Sequence, residues 1–571
     1  MKRFLLLLGL LGLVFTSCDT EVPALTSIDV RILNNRYNIG DKISPEDIEV
    51  MARYNNMTEK IVAGYTVRHE PLTEVGDVTV AVEYTEGGIT KTCAYGVHVR
   101  GLYDLLVSHN SGGSIRMLNS SWDEDAAACY RVEARYYPMN TSDDYKTLKY
   151  GEYDVTPSEF NTLGPVTLTF TYSDGGITKT YSFVVEVVKP ITISYFSKTN
   201  TLLWEERGFQ GHEYKVSNHA LDGHELLGWA ESFYGAIIYA PDQVITLGSE
   251  KLDLYGVWAF AKKEYPEYIE FGEFPQTIKH KNITVNESCT RTAGAYTYCK
   301  GNDGEWYCKV KENASGSFFK YSNGEPVKRI ADNSYRWFKV EPIKWKVLTT
   351  NYNSSGKRLL FAQKGLIAGI PYYHTTAKRV IARGKVTTEI YANSYSSSEI
   401  RAYLTGAPYP YGNNDTAYTY ALNGGFLGTA FTSASAQLIA TTTVDNSVRS
   451  TCPDVIPITW PATNSYANGG TSPDKIFLLS LQEITTSAYG FATAIETGES
   501  MSGRCRQPTD FALANYGNFD SDLGASSYWL RSPSPDTDAP KSYYVSGFGS
   551  TGLSDIANSA NKLIVPALCI D

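Results

Sequence analysis

The sequence predicts a multidomain, mainly β protein, and three observations predict it. The chain has 571 residues, too many for one hydrophobic core and enough for roughly four domains. It carries 42 Tyr together with short runs of Ser, Thr, Asn and Gly, a mix that favours short strands joined by polar turns. The hexapeptide GGITKT occurs twice, at 87–92 and 175–180, each time at the end of an alternating apolar and polar stretch. Hydrophobic content of 42% and charged content of 20% exclude general disorder and a membrane bundle. A net charge of −10, with no Lys/Arg cluster, excludes nucleic acid as a partner.

The N-terminus comes first in the chain. Lys2 and Arg3 precede FLLLLGLLGLVF (4–15), which is followed by Thr16, Ser17 and Cys18. That apolar run is too short to span a bilayer and suits a signal peptide. A Cys directly after small residues resembles the lipobox of bacterial lipoproteins; an ordinary secretory signal would instead show an A-x-A cleavage site, which is absent. The resemblance implies removal of 1–17, acylation of Cys18 (palmitate among the chains) and a lipidated linker over 18–24. It implies an exported protein anchored to the cell envelope, expected at the outer membrane and surface-exposed. The membrane is then a partner through the lipid. Several acyl chains, at about 0.8 kcal/mol per buried methylene, hold such an anchor in place.

The doubled hexapeptide belongs to a longer repeat. VTVAVEYTEGGITKT (78–92) aligns without gaps on VTLTFTYSDGGITKT (166–180). Val78, Val80, Val82 and Tyr84 form one apolar face, as do Val166, Leu168, Phe170 and Tyr172. Gly87-Gly88 and Gly175-Gly176 supply the positive-φ residues of tight hairpin turns. Val132, Ala134 and Tyr136 match Val50, Ala52 and Tyr54, and this register puts Cys93 inward and Cys129 outward in different modules. A Cys93–Cys129 bridge is therefore not expected, and Cys93 serves as a small core residue. With YNIGDKISPEDIEVMARY (37–54), these segments resemble bacterial Ig-like modules over 25–100 and 101–189. The resemblance implies tandem Ig-like β-sandwiches acting as stiff spacers, with an adhesive role of the modules themselves as the alternative.

Residues 190–262 form a third, shorter unit. LLGWAES (226–232), GAIIYAPDQVITL (235–247) and LDLYGVW (252–258) resemble the Listeria–Bacteroides repeat, which implies a small β-grasp-like module. His212, His219 and His224 lie here at spacings that make no helical face, so loop histidines are expected rather than a metal site.

From 264 to 571 strand-like runs alternate with short helices. Ser480…Glu483 and Ser396…Glu399 have the S-x-x-E form of a capping box, and Pro508 opens a short helix expected to stop at Gly517. IEFGEFPQTI (269–278), VEPIKWKVL (340–348), SEIRAYLTG (398–406), FLGTAFT (426–432), TTVDNSVRST (442–451), DKIFLLSLQE (474–483), YWLRSP (528–533) and VPALCID (565–571) follow in order. Together they resemble a domain family of unassigned function found in exported bacterial lipoproteins. The ending also resembles C-type-lectin-like and formylglycine-generating-enzyme-like folds. That implies an α+β C-type-lectin-like domain whose long loops carry variable surfaces.

Eight cysteines follow Cys18, an even number that permits disulfides in an exported protein. Cys289, Cys299 and Cys308 crowd one segment without C-x-x-C spacing, so a local disulfide is expected over zinc. Cys505 and Cys569 are the candidates if the formylglycine-generating resemblance extends to chemistry, but nothing beside them in sequence marks an activated thiol. Asp536 and Asp538 are too few for a calcium site. Arg531 in YWLRSP is either an anion contact or a structural pair, and Asp445 and Asp474 have the same two readings.

One stretch has the composition of a contact surface. YLTGAPYPYGNNDTAYTYALNGG (403–425) interleaves Tyr with Gly, Asn, Pro and Thr, giving large contact area at low entropic cost; the equal alternative is a Tyr-rich loop packed on its own domain. The candidate ligand-binding residues are Tyr403, Tyr409, Tyr411, Tyr418, Tyr420 and Arg531. No catalytic residue, metal or cofactor is assigned. The expected function is adhesion or ligand binding, to host protein or glycan, by a C-terminal head on a β-module stalk. The alternatives are an enzyme of the sulfatase-modifying type and a purely structural envelope protein.

Overall fold

A computed structural model describes residues 22–139, 144–314, 319–328, 332–376, 379–383, 386–406, 408–410, 417–419, 425–453, 468–495, 503–515, 525–534 and 540–571. The expected signal peptide and Cys18 fall on residues 1–21, which lie outside the described residues. The protein is multidomain and mainly β, and it divides into two compact units, Met1–Pro190 and Ile191–Asp571.

The first unit holds the repeat. In its first half, the strands Leu25–Ile32, Ile48–Tyr54 and Glu59–Val62 form one sheet, and Thr66–Arg68, Gly76–Glu86 and Ile89–His109 build the other. Val50, Ala52, Val80, Val82 and Val97 meet between them as a fully enclosed core. Along Gly76–Glu86 burial alternates, with Val80, Val82 and Tyr84 inward, and Gly164–Asp174 repeats the pattern with Leu168, Phe170 and Tyr172. Both hairpins close through two glycines at positive φ, +59° and +78° at Gly87 and Gly88, +58° and +82° at Gly175 and Gly176. The hydroxyl of Tyr54 donates to Glu86 beside the first turn, and Tyr136 donates likewise to Asp174 beside the second. The duplicated sequence thus reproduces turn, register and tyrosine pin together.

The two halves of this unit share a strand. Up to Val99, Ile89–His109 pairs with Gly76–Glu86; from Gly101 onward it pairs with Tyr130–Tyr137. A continuous strand of this kind leaves no loop at which the halves could hinge. Cys93 packs against the first core, and it and Cys129 are free thiols.

The second unit begins with a mixed sheet in the order Leu202–Phe209, Pro190–Phe196, Leu252–Phe260, His224–Ala230. Trp229 and Trp258, from the two Trp motifs, meet edge-to-face at 5.6 Å in its core. The three histidines go separate ways, His212 to Phe209, His219 to Trp204 and His224 to Phe260.

This module is built into the C-terminal domain. Its strand Leu252–Phe260 is buried on both faces toward its end. Val257 and Ala230 join Cys289, Tyr298, Trp306, Cys308 and Val340 in one apolar cluster. Lys300, 3% exposed, donates from Nζ to the Phe233 carbonyl at 2.8 Å. Lys198 pairs with Glu305 at 3.0 Å, and Thr432 donates to Glu225. Residues 191–262 thus pack against the C-terminal domain within one compact unit.

In the C-terminal domain the long strand Tyr335–Thr349 pairs with Trp306–Lys311, Ile269–Ile278 and Arg358–Ala362. The last strand, Ala567–Ile570, receives Arg358–Ala362, Ile476–Phe477 and Ile439–Ala440. Ser480 and Glu483 form the expected capping box on Leu481–Ile484. Ser396 does not cap; Ser398 caps Glu399–Thr405 instead, and Glu399 is taken by the Nδ1 of His374. The helix after Pro508 runs Asp510–Ala514 with Thr509 as its cap, and Gly517 lies outside the described residues.

The expected disulfide is absent: Cys289, Cys299 and Cys308 are all free. Register accounts for two of the three pairings. Cys308 stands opposite Tyr298, and Cys299 opposite Tyr307, so Cys299 and Cys308 point to opposite faces of the sheet. The strand Tyr296–Gly301 separates Cys289 from Cys308.

Candidate functional site

The Tyr-rich stretch is held as a loop by its two ends. The helix Glu399–Thr405 stops at Gly406, which adopts φ +70° as a left-handed cap. The next helix, Gly425–Ala430, starts at Gly425 with φ +59°. A Cβ on Gly425 would fall 2.0 Å from the Tyr403 carbonyl oxygen and 3.3 Å from the Gly406 nitrogen. Gly406 and Gly425 are thus in contact, and the chain between them leaves and returns at one point. Between the two glycines, Pro408–Pro410 pairs antiparallel with Ala417–Thr419, with Tyr409 and Tyr418 as register partners. Among the described residues this ladder pairs with no other strand.

Beneath the junction lies a cavity of about 290 Å³. Tyr403 and Gly425 line it on one side; Tyr296, Thr429, Phe511 and Asn515 line it on others. Tyr403 itself is 8% exposed, so it supports the hairpin from below rather than meeting solvent broadly. Tyr411 and Tyr420 lie outside the described residues, as do Asp536 and Asp538.

Arg531 is placed elsewhere and is enclosed. Its guanidinium, 4% exposed, donates to both carboxylate oxygens of Glu483 and to the Leu478 carbonyl at 2.7 Å. Glu483 also accepts from Tyr352 Oη at 2.5 Å and from the Ser480 N–H at 2.7 Å. Burial alone would push the Glu483 carboxyl up, but the Arg531 charge and these donors outweigh it and hold it below its usual range. As a candidate ligand contact Arg531 is corrected: its donors are used inside the domain, where it ties YWLRSP to LLSLQE.

Other motif residues make anchors of the same kind. Asp474, 1% exposed, accepts from Arg401 and from Ser472 Oγ, joining DKIFLLS to SEIRAYL. Asp510 accepts from the Ile278 N–H at 2.9 Å and from Ser322, joining TDFALA to FPQTI. Asp445 accepts from the Ser447 N–H at 2.8 Å, a local turn contact. Buried carboxylates such as Asp474 and Asp510 need charged or N–H partners, and both find them on another motif segment, whereas Asp445 is exposed. The sequence showed the motif residues one by one; it did not show Arg401, Glu483 and Tyr352 as their partners.

The six cysteines of the C-terminal domain have no activating surroundings. Burial pushes Cys569 and Cys452 up to about 11, Cys308 up to about 12, and Cys505 upward as well. A nucleophilic thiol needs the opposite shift. No group of three or more metal-ligating side chains occurs among the described residues.

Residues 375–571 match a family described as a domain of unknown function (DUF6273). No curated protein matches the chain. Among solved structures, the protocadherin gammaB4 extracellular domain aligns at 10% identity over 61% of this chain and 65% of its own, with a TM-score of 0.12. Domains 4–9 of the surface layer protein SbsC align at 12% identity over 64% and 74%, with a TM-score of 0.11. Protocadherin gamma B2 cadherin domains 3–6 align at 8% identity over 58% and 94%, with a TM-score of 0.12. The chain spans about 65% of the length of the first of these. At such scores these likenesses carry no argument about fold or function.

Proposed function

We propose that this chain is an exported bacterial surface lipoprotein, anchored to the envelope through Cys18, whose C-terminal head binds a host protein or glycan through the hairpin of 403–425. The observation that carries the binding reading is the contact of Gly425 with Tyr403 and Gly406. It converts a Tyr-rich stretch into a ladder with both ends fixed on the head. A fixed base lowers the entropy lost when aromatic contact residues engage a partner. The strand shared by the two Ig-like modules fits a stiff spacer between lipid and head. The raised thiols favour binding over a cysteine enzyme.

The test uses the full mature chain and a variant in which 408–419 is replaced by a short Gly-Ser turn. Both are applied to one panel of immobilised glycans and extracellular-matrix proteins. Saturable binding by the parent, lost in a variant with an unchanged melting profile, is the expected result. Equal binding by the two proteins would remove the hairpin from the reading. Failure of the folded parent to bind anything would leave the structural envelope role. Cys18→Ala is expected to release the protein from the membrane fraction.

A further inference from the structure

The two copies of the GGITKT repeat differ at one end. In the second copy, the turn Gly175-Gly176 delivers Ile177 to the joint with the first module. A Cβ on Gly101 would lie 2.7 Å from Val75 Cγ2 and 3.0 Å from Ile177 Cδ1, so side chains of both modules close on that glycine. Beside it, Tyr137 donates to Asp77 of the first module. In the first copy the residue that corresponds to Ile177 is Ile89, and it is 37% exposed.

Ile89 does not stand alone at that end. Glu86 is its register partner across the turn and accepts from Tyr54, so the turn at 54–58 lies beside the turn at 86–89. Met57 forms the tip of the neighbouring turn, at φ +63° and 95% exposed. The start of the chain joins them. The Ala24 N–H donates to Asn55 Oδ1 and the Asn55 N–H to the Ala24 carbonyl, each at 3.0 Å. Val22, two residues earlier, is 84% exposed. Three apolar side chains are thus presented at one pole of the first module. The charges around them cancel: Arg53, Lys60 and Lys91 stand against Asp29, Glu59 and Glu86, with Arg53 on Asp29 at 2.6 Å and on Glu59 at 3.3 Å.

Chain length decides what lies next to this pole. Val22 is four residues after Cys18, a stretch that spans about 14 Å when fully extended. An acyl anchor on Cys18 therefore keeps Val22 within that reach of the bilayer, whose headgroup layer is itself about 5–7 Å deep. Apolar side chains gain by leaving water for that layer, and a pole without net charge meets no repulsion there. We propose that this pole is a membrane-docking surface, with Val22, Met57 and Ile89 seated in the headgroup layer of the bilayer that holds the anchor. The proposal rests on the Cys18 reading. Asp19 and Glu21 in the linker make zwitterionic lipid, not anionic lipid, the matching surface. Lipid and pole together fix the base of the spacer at more than one point, which a lipid tether alone does not.

The test is oxidation of Met57 by hydrogen peroxide, read by mass spectrometry of the digested protein. Peroxide transfers one oxygen to the thioether sulfur, giving the sulfoxide and water, and it acts fastest on exposed sulfur. The full mature chain, carrying an N-terminal hexahistidine tag, is held on phosphatidylcholine vesicles that contain a nickel-chelating lipid, and is compared with the same chain in buffer. This attachment does not need acylation, so its outcome is separate from that of the Cys18→Ala release experiment. Met117, 45% exposed in the second module, is the internal reference. Relative to Met117, Met57 is expected to oxidise about tenfold more slowly on the vesicles. The double variant Val22→Asp/Ile89→Asp changes only exposed side chains and is expected to return Met57 to its rate in buffer. Equal rates for the parent with and without vesicles overturn the proposal. So does protection that survives in the double variant. Protection that rises with protein concentration in the absence of vesicles also overturns it, since the pole would then be covered by a second copy.

Discussion

The guanidinium of Arg531 lies on the carboxylate of Glu483 inside the head, and neither group reaches solvent in any useful degree. Removing one partner strands the other's charge in a low-dielectric interior. Such a loss costs about 3–5 kcal/mol, whereas replacing both with apolar groups of similar volume costs much less. Arg531→Met and Glu483→Gln are each expected to lower the urea midpoint of the head strongly, and the double variant Arg531→Met/Glu483→Leu less than their sum. Tryptophan fluorescence during unfolding reads this directly. Additive losses would mean that the two residues do not act as a pair.

Acid is expected to destabilise the head through the same carboxylates. Glu483 and Glu312 are both held below the usual 4.5 despite burial, by Arg531 in the first case and by Ser334, Tyr321 and the Lys328 N–H in the second. Glu264, hydrogen-bonded to Arg358 and Lys262, is lowered to about 2. The sign follows from proton counting. A folded state that binds fewer protons than the unfolded chain is stabilised above the unfolded pKa and loses that stability as pH falls through the folded value. Melting temperature measured from pH 7 downward is expected to stay level to about pH 5 and then to fall. Glu483→Gln should flatten part of that slope; a midpoint that rises on acidification would contradict it.

Gly425→Ala tests the base of the hairpin. The positive φ alone costs about 1 kcal/mol for a residue with a Cβ. The added methyl would also press on backbone, the Tyr403 carbonyl, which cannot swing away as a side chain can. Weaker binding in the ligand panel is expected, with a melting temperature lowered by only a few degrees. A variant that binds like the parent would show that the two ends of the loop need not touch.

Much of the first unit was legible because its signals are local. Alternation at Val80, Val82 and Tyr84 reports a face, and Gly87-Gly88 reports a turn, without knowledge of anything distant. The anchors of the head were not legible because the choice of partner is long-range. Nothing in YWLRSP says that Arg531 will meet Glu483, and nothing in SEIRAYL says that Arg401 will meet Asp474. The capping box at Ser480 was readable, but the same pattern at Ser396 misled because His374 claims Glu399. Gly406 and Gly425 did carry a signal: two glycines bracketing an aromatic loop are the residues that left-handed ends require. The run YGVWAF in Leu252–Phe260 carried another, since a strand apolar on both faces must be covered twice.

That double coverage makes the last prediction. A fragment of residues 264–571 removes Ala230 and Val257 from the cluster containing Tyr298, Trp306, Cys308 and Val340. It also takes the Phe233 carbonyl from Lys300, whose ammonium is buried and held below its usual pKa by desolvation. Newly exposed apolar surface together with a half-buried, unpartnered cation favours self-association over a clean monomer. Residues 191–571 keep both contacts. The fragment 264–571 is expected to bind a hydrophobic dye and to elute as aggregate, while 191–571 melts with the head transition of the full chain. Should 264–571 remain dye-negative and melt at the same temperature as 191–571, the β-module would be an attachment and not part of the head.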